Sequence, residues 1–264
     1  MGAICRDQGG QAAVVVASDR MVTWASLTQF EHRVPKFHQM APAVVGLVAG
    51  DALIGTQLID DSRPTAATAT SVAEIGETLA NHYAEIRIRN VEADILRPRG
   101  LTMQSYYQMH QTLMGNVVGM LDQQMTTYDL GVELLLAGLD GAGGHLHTVH
   151  NPGGRYLTHD VIGAAAVGSG ALHAVQSMIE FRHFGEEALR DTVFRVYAAK
   201  RRAEVAPGVG KDTDMLFIDS NGIHRLTDET LNELTDLFQQ FVKAADQSLG
   251  AKLKSLKIGS EEES

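Results

Sequence analysis

Two short valine-rich runs, Gln11–Ala17 (QAAVVVA) and Ala43–Ala49 (AVVGLVA), constrain this chain more than any other feature. Each is rich in valine and is bounded by glycine or charge, the pattern of a buried strand. Asp7-Gln8-Gly9-Gly10 precedes the first run and has turn composition, so a hairpin is expected between that run and a strand at Met1–Arg6. The chain therefore starts with an antiparallel pair.

From Asp51 to about Gln123 the apolar period changes. Ser71-Val72-Ala73-Glu74 is a capping-box pattern, followed at helical spacing by Val72, Ile75, Leu79, Tyr83 and Ile86. Beyond the Arg97-Pro98-Arg99-Gly100 break, Tyr106, His110, Leu113, Met114, Val117, Val118 and Leu121 predict one more amphipathic helix, its stripe read as core packing. Strands are expected again at Val132–Leu139, His145–His150 and Asp160–Val167, separated by glycine-rich turns. Helices follow over about 170–183 and 186–202, then a hairpin around Asp219-Ser220-Asn221-Gly222 and a helix capped by Thr227. Helix pairs set between runs of strands predict an α+β fold, a four-layer αββα sandwich of two antiparallel sheets flanked by helices. The expected division is one domain over 1–226 with a helical insertion at about 63–100, a C-terminal helix over 227–252, and a polar tail over 253–264.

A chain of 264 residues can bury a sizeable core as one domain. Its formal net charge of -10 argues against a nucleic-acid partner and against anionic membrane surfaces, both of which call for a basic face. Cys5 is the single cysteine, so no intrachain disulfide can form and a reducing cytoplasm is the expected location. No apolar run approaches the roughly 20 residues that span a bilayer, and Arg6 and Asp7 stand where a signal peptide needs its apolar stretch. His145, His147 and His150 invite a metal reading. On a strand, however, His145 and His147 share a face that His150 does not, and no Cys-x-x-Cys completes a four-ligand site. No metal and no cofactor is expected. Lys200-Arg201-Arg202 ends a helix and reads as a solvated basic face.

Several short motifs, taken in order, resemble the proteasome β-subunit family. They are Ala17-Ser18-Asp19-Arg20 leading to Thr23, Val34-Pro35-Lys36 and Val48-Ala49-Gly50-Asp51-Ala52 in the first half. In the second half they are Leu135 with Ala137-Gly138-Leu139-Asp140, Pro152-Gly153-Gly154, Val167-Gly168-Ser169-Gly170 and the later Pro207-Gly208-Val209-Gly210. The resemblance covers about 2–218. It implies an N-terminal-nucleophile hydrolase fold and a threonine-type peptidase or amide hydrolase, with acyl transfer as a variant. A chain-terminal threonine would attack a carbonyl while its own α-amine takes the proton. Residue by residue, Asp19 and Lys36 match the flanking aspartate and lysine, Gly50 the oxyanion donor, and Ser169 the serine hydrogen-bonded near the amine. A peptide or protein substrate and a homo-oligomer are the partners implied.

Two departures bear on activity. The family's threonine lies three residues before the position of Gly2, and only Met1 precedes Gly2 here. The natural chain is therefore expected either to begin upstream with a threonine or to be an inactive scaffold or binding subunit. Cys5 is read as a small apolar strand residue rather than a substitute nucleophile. Near Glu204 and Pro207 the family places an aspartate and a serine, and Pro207 offers no hydroxyl.

Overall fold

A computed structural model of the protein describes residues 1–24, 28–31 and 36–253. The first hairpin forms as the sequence predicts, with β1 (Gly2–Arg6) antiparallel to β2 (Ala12–Asp19) and Gly2 opposite Val16. Asp7 builds the turn. Its Oδ1 accepts the amides of Gly9 and Gln11, both at 2.8 Å, and the chain reverses through Gly10 at φ +77°. Next come β3 (Met21–Trp24) and β4 (Thr28–Glu31), a two-stranded ribbon. The strands β5 (Phe37–Ala41), β6 (Val44–Gly50), β7 (Val132–Asp140), β8 (Gly143–Val149) and β9 (Leu157–Thr158) form one five-stranded sheet in that order. A second five-stranded sheet has the order β10-β1-β2-β11-β12, with β10 at Ala164–Ala165, β11 at Thr213–Asp219 and β12 at Gly222–Arg225. Every neighbouring pair in both sheets is antiparallel.

The two sheets pack face to face. Ile4, Val14, Val16 and Leu216 of one sheet meet Val45, Leu47, Leu135 and Leu146 of the other in a shared core. Val15 alternates to the opposite face of β2, where α6 (Leu189–Ala203) crosses it, and is equally buried. Cover on both faces explains why β2 reads as an unbroken valine run rather than an alternating strand. Each buried valine contributes on the order of 1.5–3 kcal/mol relative to exposure. Outside the other sheet, α1 (Ala52–Ala66) and α2 (Val72–Val91) bury Leu58, Ile59, Ile75, Leu79 and Tyr83 against β6 and β7. Tyr83 fixes that contact by donating its hydroxyl to the Val132 carbonyl at 3.0 Å. The fold class is α+β, with two antiparallel five-stranded sheets and seven helices among the described residues.

Several local expectations differ from the structure. The helical segment starts at Ala52, just after the expected change of period at Asp51, because the Asp51 carboxylate caps the amides of Leu53 and Ile54 (2.9 and 3.0 Å). Ser71 does cap α2 through the Glu74 amide, but the Glu74 carboxylate turns back to the Thr70 amide instead of closing the box on Ser71. After a π-helical turn (Glu92–Leu96) and a 3-10 turn (Arg97–Arg99), the stripe from Tyr106 to Leu121 is divided between α3 (Met103–Met109) and α4 (Gly115–Thr127). Thr112 breaks the helix by bonding the Met109 carbonyl through both its amide and its hydroxyl. Tyr106 and Leu121 still enter one small core with Val91, Leu96 and Met125, which is why the helical period runs through the break. The strand expected at Asp160–Val167 shrinks to β10, since His159 to Gly163 form a hydrogen-bonded turn. The helix expected from about 170 is α5 (Ala171–Glu180).

The chain divides into two compact units, Met1–Arg225 and Leu226–Ser264. The second carries α7 (Asp228–Leu253), begun by the Thr227 hydroxyl accepting the Thr230 amide at 3.2 Å. Residues 254–264 of the expected polar tail lie outside the described residues, as do Val34 and Pro35. Among the described residues no helix is long and apolar enough to cross a membrane.

Candidate active site

Asp19 ends β2, and its Oδ1 accepts the Lys36 ammonium at 2.7 Å and the Met21 amide at 2.6 Å. Lys36 stands immediately before β5, so the pair links the two sheets at one rim of the sandwich. Arg20 does not pair with its neighbour Asp19. Its guanidinium instead makes a bidentate fork on Asp214 of β11, at 2.9 and 2.6 Å. That leaves the Asp19 carboxylate to Lys36 and the backbone.

Gly50 closes β6 on the way into α1. It has φ +89°, and a Cβ there would sit 1.9 Å from the Gly131 carbonyl oxygen, so both conformation and space demand glycine. Ser169 is exposed on the turn between β10 and α5. The Gly168 amide donates to Glu133 at 2.6 Å, and a Cβ at Gly168 would lie 3.0 Å from the Ala49 side chain. The Gly168-Ser169-Gly170 turn is thereby seated against the end of β6, next to Gly50.

Register places both pairs on the same rim. A Cβ on Gly2, which is opposite Val16, would touch Leu135 and Leu146, and Leu135 is in turn opposite Leu47. Nearer the other end, Gly144 approaches Ile4 and Val14, while Leu139 bonds the Ala43 carbonyl. The strands β2 and β6 therefore advance in the same sense, so Asp19 and Gly50 finish at one end of the two-sheet stack. The chain enters β1 from that same end. Met1 and Ala17 exchange both backbone hydrogen bonds, 2.8 Å from the Met1 amine and 3.0 Å from the Ala17 amide. Burial pushes the pKa of the Met1 amine down to about 5, with Asp19 opposing and Lys36 adding to the shift. An amine in this position is a neutral base at pH 7.

Three residues outside the predicted set support the rim. Glu133 holds the Gly168 turn, and the Ser18 hydroxyl beside Asp19 is buried with no hydrogen-bond partner. Lys200 is a correction, because it is buried rather than on a solvated basic face. Its ammonium donates to Glu204 (2.7 Å) and to the carbonyls of Gly210 (3.0 Å) and Lys211 (2.7 Å), and burial lowers its pKa despite Glu204. The Lys200–Glu204 spacing of four was the available signal, since it puts both side chains on one helix face. Glu204, in the region where the resemblance calls for an aspartate, is committed to Lys200 and Arg201. Cys5 is a buried strand residue. Burial pushes its thiol up to about 12, so it holds no thiolate at neutral pH.

Among the described residues, histidine and carboxylate groups with metal-ligand spacing gather at His145, His147 and Asp160, towards the opposite end of the β5–β9 sheet. No family model matches the chain, and no curated protein is significantly similar to it.

Proposed function

We propose that the unit Met1–Arg225 is the catalytic domain of a threonine-type amide hydrolase of the proteasome β superfamily, with the N-terminal-nucleophile αββα fold. The observation that carries this reading is the register of β1. Gly2 stands opposite Val16 and Met1 exchanges hydrogen bonds with Ala17, so a strand continued upstream would bring its next two residues opposite Ser18 and Asp19. The resemblance calls for a threonine three residues before Gly2, the place opposite Asp19.

A threonine at that place has what acyl transfer requires. Its Oγ attacks the substrate carbonyl carbon while its α-amine takes the hydroxyl proton. The Lys36 ammonium adds positive potential beside the developing charge, and Asp19 fixes that ammonium at 2.7 Å. The resemblance assigns the Gly50 amide to the oxyanion. Collapse of the tetrahedral intermediate expels the amine product with the transferred proton. Water then adds to the threonyl ester and releases the acid, or a second amine resolves it as a transpeptidation.

The test is a chain carrying a threonine two residues ahead of Met1, exposed by removal of its initiator methionine. It should hydrolyse fluorogenic peptide amides and take one equivalent of a threonine-directed β-lactone, located by mass spectrometry on the N-terminal residue. A folded threonine-headed protein that forms no adduct and cleaves no amide would sink the hydrolase reading and leave the scaffold alternative.

A further inference from the structure

At the end of the β5–β9 sheet away from the Asp19 rim, β8 presents His145 and His147 on the face covered by α2, and the turn after β9 delivers Asp160 beside them. One potential ligand atom from each of the three residues lies within 4.8 Å of the other two. We propose that His145, His147 and Asp160 form a binding site for a divalent transition-metal ion of the zinc class. The proposal is independent of the hydrolase reading and shares no residue with it.

The surroundings of each donor fit such an ion. His145 contacts a carboxylate at each ring nitrogen, Asp140 Oδ1 from Nε2 at 3.0 Å and Asp160 Oδ2 from Nδ1 at 2.7 Å. Asp140 is itself anchored, accepting the Val72 amide (3.0 Å) on one oxygen and the Ala142 amide (2.8 Å) on the other. Donation from Nε2 to Asp140 fixes the tautomer in which Nδ1 offers a lone pair, the carboxylate–histidine–metal relation that orients histidine ligands. A metal ion then takes the place of the Nδ1 proton between His145 and Asp160. Asp160 is held for this role because its other oxygen accepts the Leu146 amide at 2.8 Å.

His147 supplies the observation that the ion pairs leave unexplained. It is 2% exposed, its ring stacks on Tyr156 at 4.5 Å, and its Nδ1 is buried without a hydrogen-bond partner. Buried polar atoms in native proteins are paired, and an orphaned imidazole nitrogen costs stability that a ligand restores. The cluster would need no imidazole here if its purpose were only to clamp His145 between two carboxylates. Two imidazole nitrogens and one carboxylate oxygen suit zinc, with a fourth position left for an exogenous donor. The oxygen-rich sets preferred by calcium and magnesium are absent from this grouping.

The experiment uses the whole chain, stripped with a chelator and titrated with Zn2+ by calorimetry and with Co2+ by visible absorption. One equivalent should bind, with a cobalt spectrum of tetrahedral type. His147→Gln should weaken binding at least tenfold, and Asp140→Asn should weaken it by about 10–100-fold because the partner of Nε2 loses its charge. His110→Gln, on an exposed residue of another element, should leave binding unchanged. X-ray absorption on the zinc-loaded unsubstituted protein gives a reading that does not depend on the variants folding, and it should report two imidazoles and one carboxylate. Absence of stoichiometric binding, retention of affinity in His147→Gln, or a metal shell with fewer than two imidazoles would overturn the proposal.

Discussion

Lys36 and Lys200 both direct an ammonium towards the neighbourhood of Asp19, and they differ in what surrounds them. Lys200 is 4% exposed and donates to Glu204 and two backbone carbonyls, which occupy all three of its protons. It ties α6 to the segment leading into β11, and nothing on it is left for a substrate. Lys36 is 27% exposed along its side chain and grips Asp19 at a rim open to solvent. A saturated buried cation supports the fold, whereas a cation at an accessible rim can meet charge that appears during a reaction. Chemical type alone does not separate the two. The separation comes from how many acceptors the fold places around each ammonium.

Four experiments would break or sharpen that contrast. The largest effect is expected in the threonine-headed chain, where Lys36→Met should lower the rate of β-lactone acylation by about 100-fold or more, measured by intact mass over time. Equal acylation in the variant would remove Lys36 from the chemistry. Second, Lys200→Met should destabilise the protein by about 3 kcal/mol, read from urea unfolding, because Glu204 and two carbonyls lose their buried donor. Gly50→Ala should cost a similar amount, about 2–3 kcal/mol, since a Cβ must be forced towards the Gly131 carbonyl at positive φ. The smallest effect on folding should come from Lys36→Met, about 0–1 kcal/mol, as expected for a partly exposed pair. A Lys36 loss as large as that of Lys200 would mean that both lysines are structural.

A pH series extends the contrast to a buried base away from the rim. His183 donates its Nε2–H to the Ile4 carbonyl at 2.8 Å, and its Nδ1 is 3.3 Å from Glu187 without hydrogen-bond alignment. Burial lowers its pKa, with Glu187 and the Ile4 carbonyl opposing and Arg195 adding. The folded state then binds the proton less readily than the unfolded chain. The His183 contribution is full above the ordinary histidine pKa of about 6.5 and is lost as pH falls below it. Urea midpoints should decline over that window, and His183→Gln should flatten the decline. An unchanged slope in the variant would assign the acid sensitivity to other groups.

Legibility in the sequence varied with the range of the interactions involved. The hairpin of β1 and β2 could be read because valine runs and an Asp-Gln-Gly-Gly turn act over a few residues. The start of α2 at Ser71 was equally local. The break between α3 and α4 could not be read, because Tyr106 and Leu121 keep helical spacing for a shared core while Thr112 interrupts the backbone between them. Asp19 and Lys36 were nominated by resemblance, and only the paired strand ends bring them to 2.7 Å.

The sequence by itself determined the alternation of strands and helices, the acidic surface, and which residue types were available for chemistry. Those properties follow from periodicity, turn chemistry and charge, none of which depends on distant neighbours. Tertiary structure alone decided that Arg20 takes Asp214 and leaves Asp19 to Lys36, that Lys200 is buried, and that His147 lies beside His145 and Asp160 with an unpaired nitrogen. The physical reason is that partner choice and burial depend on residues far apart in the chain, and these become neighbours only when the sheets stack.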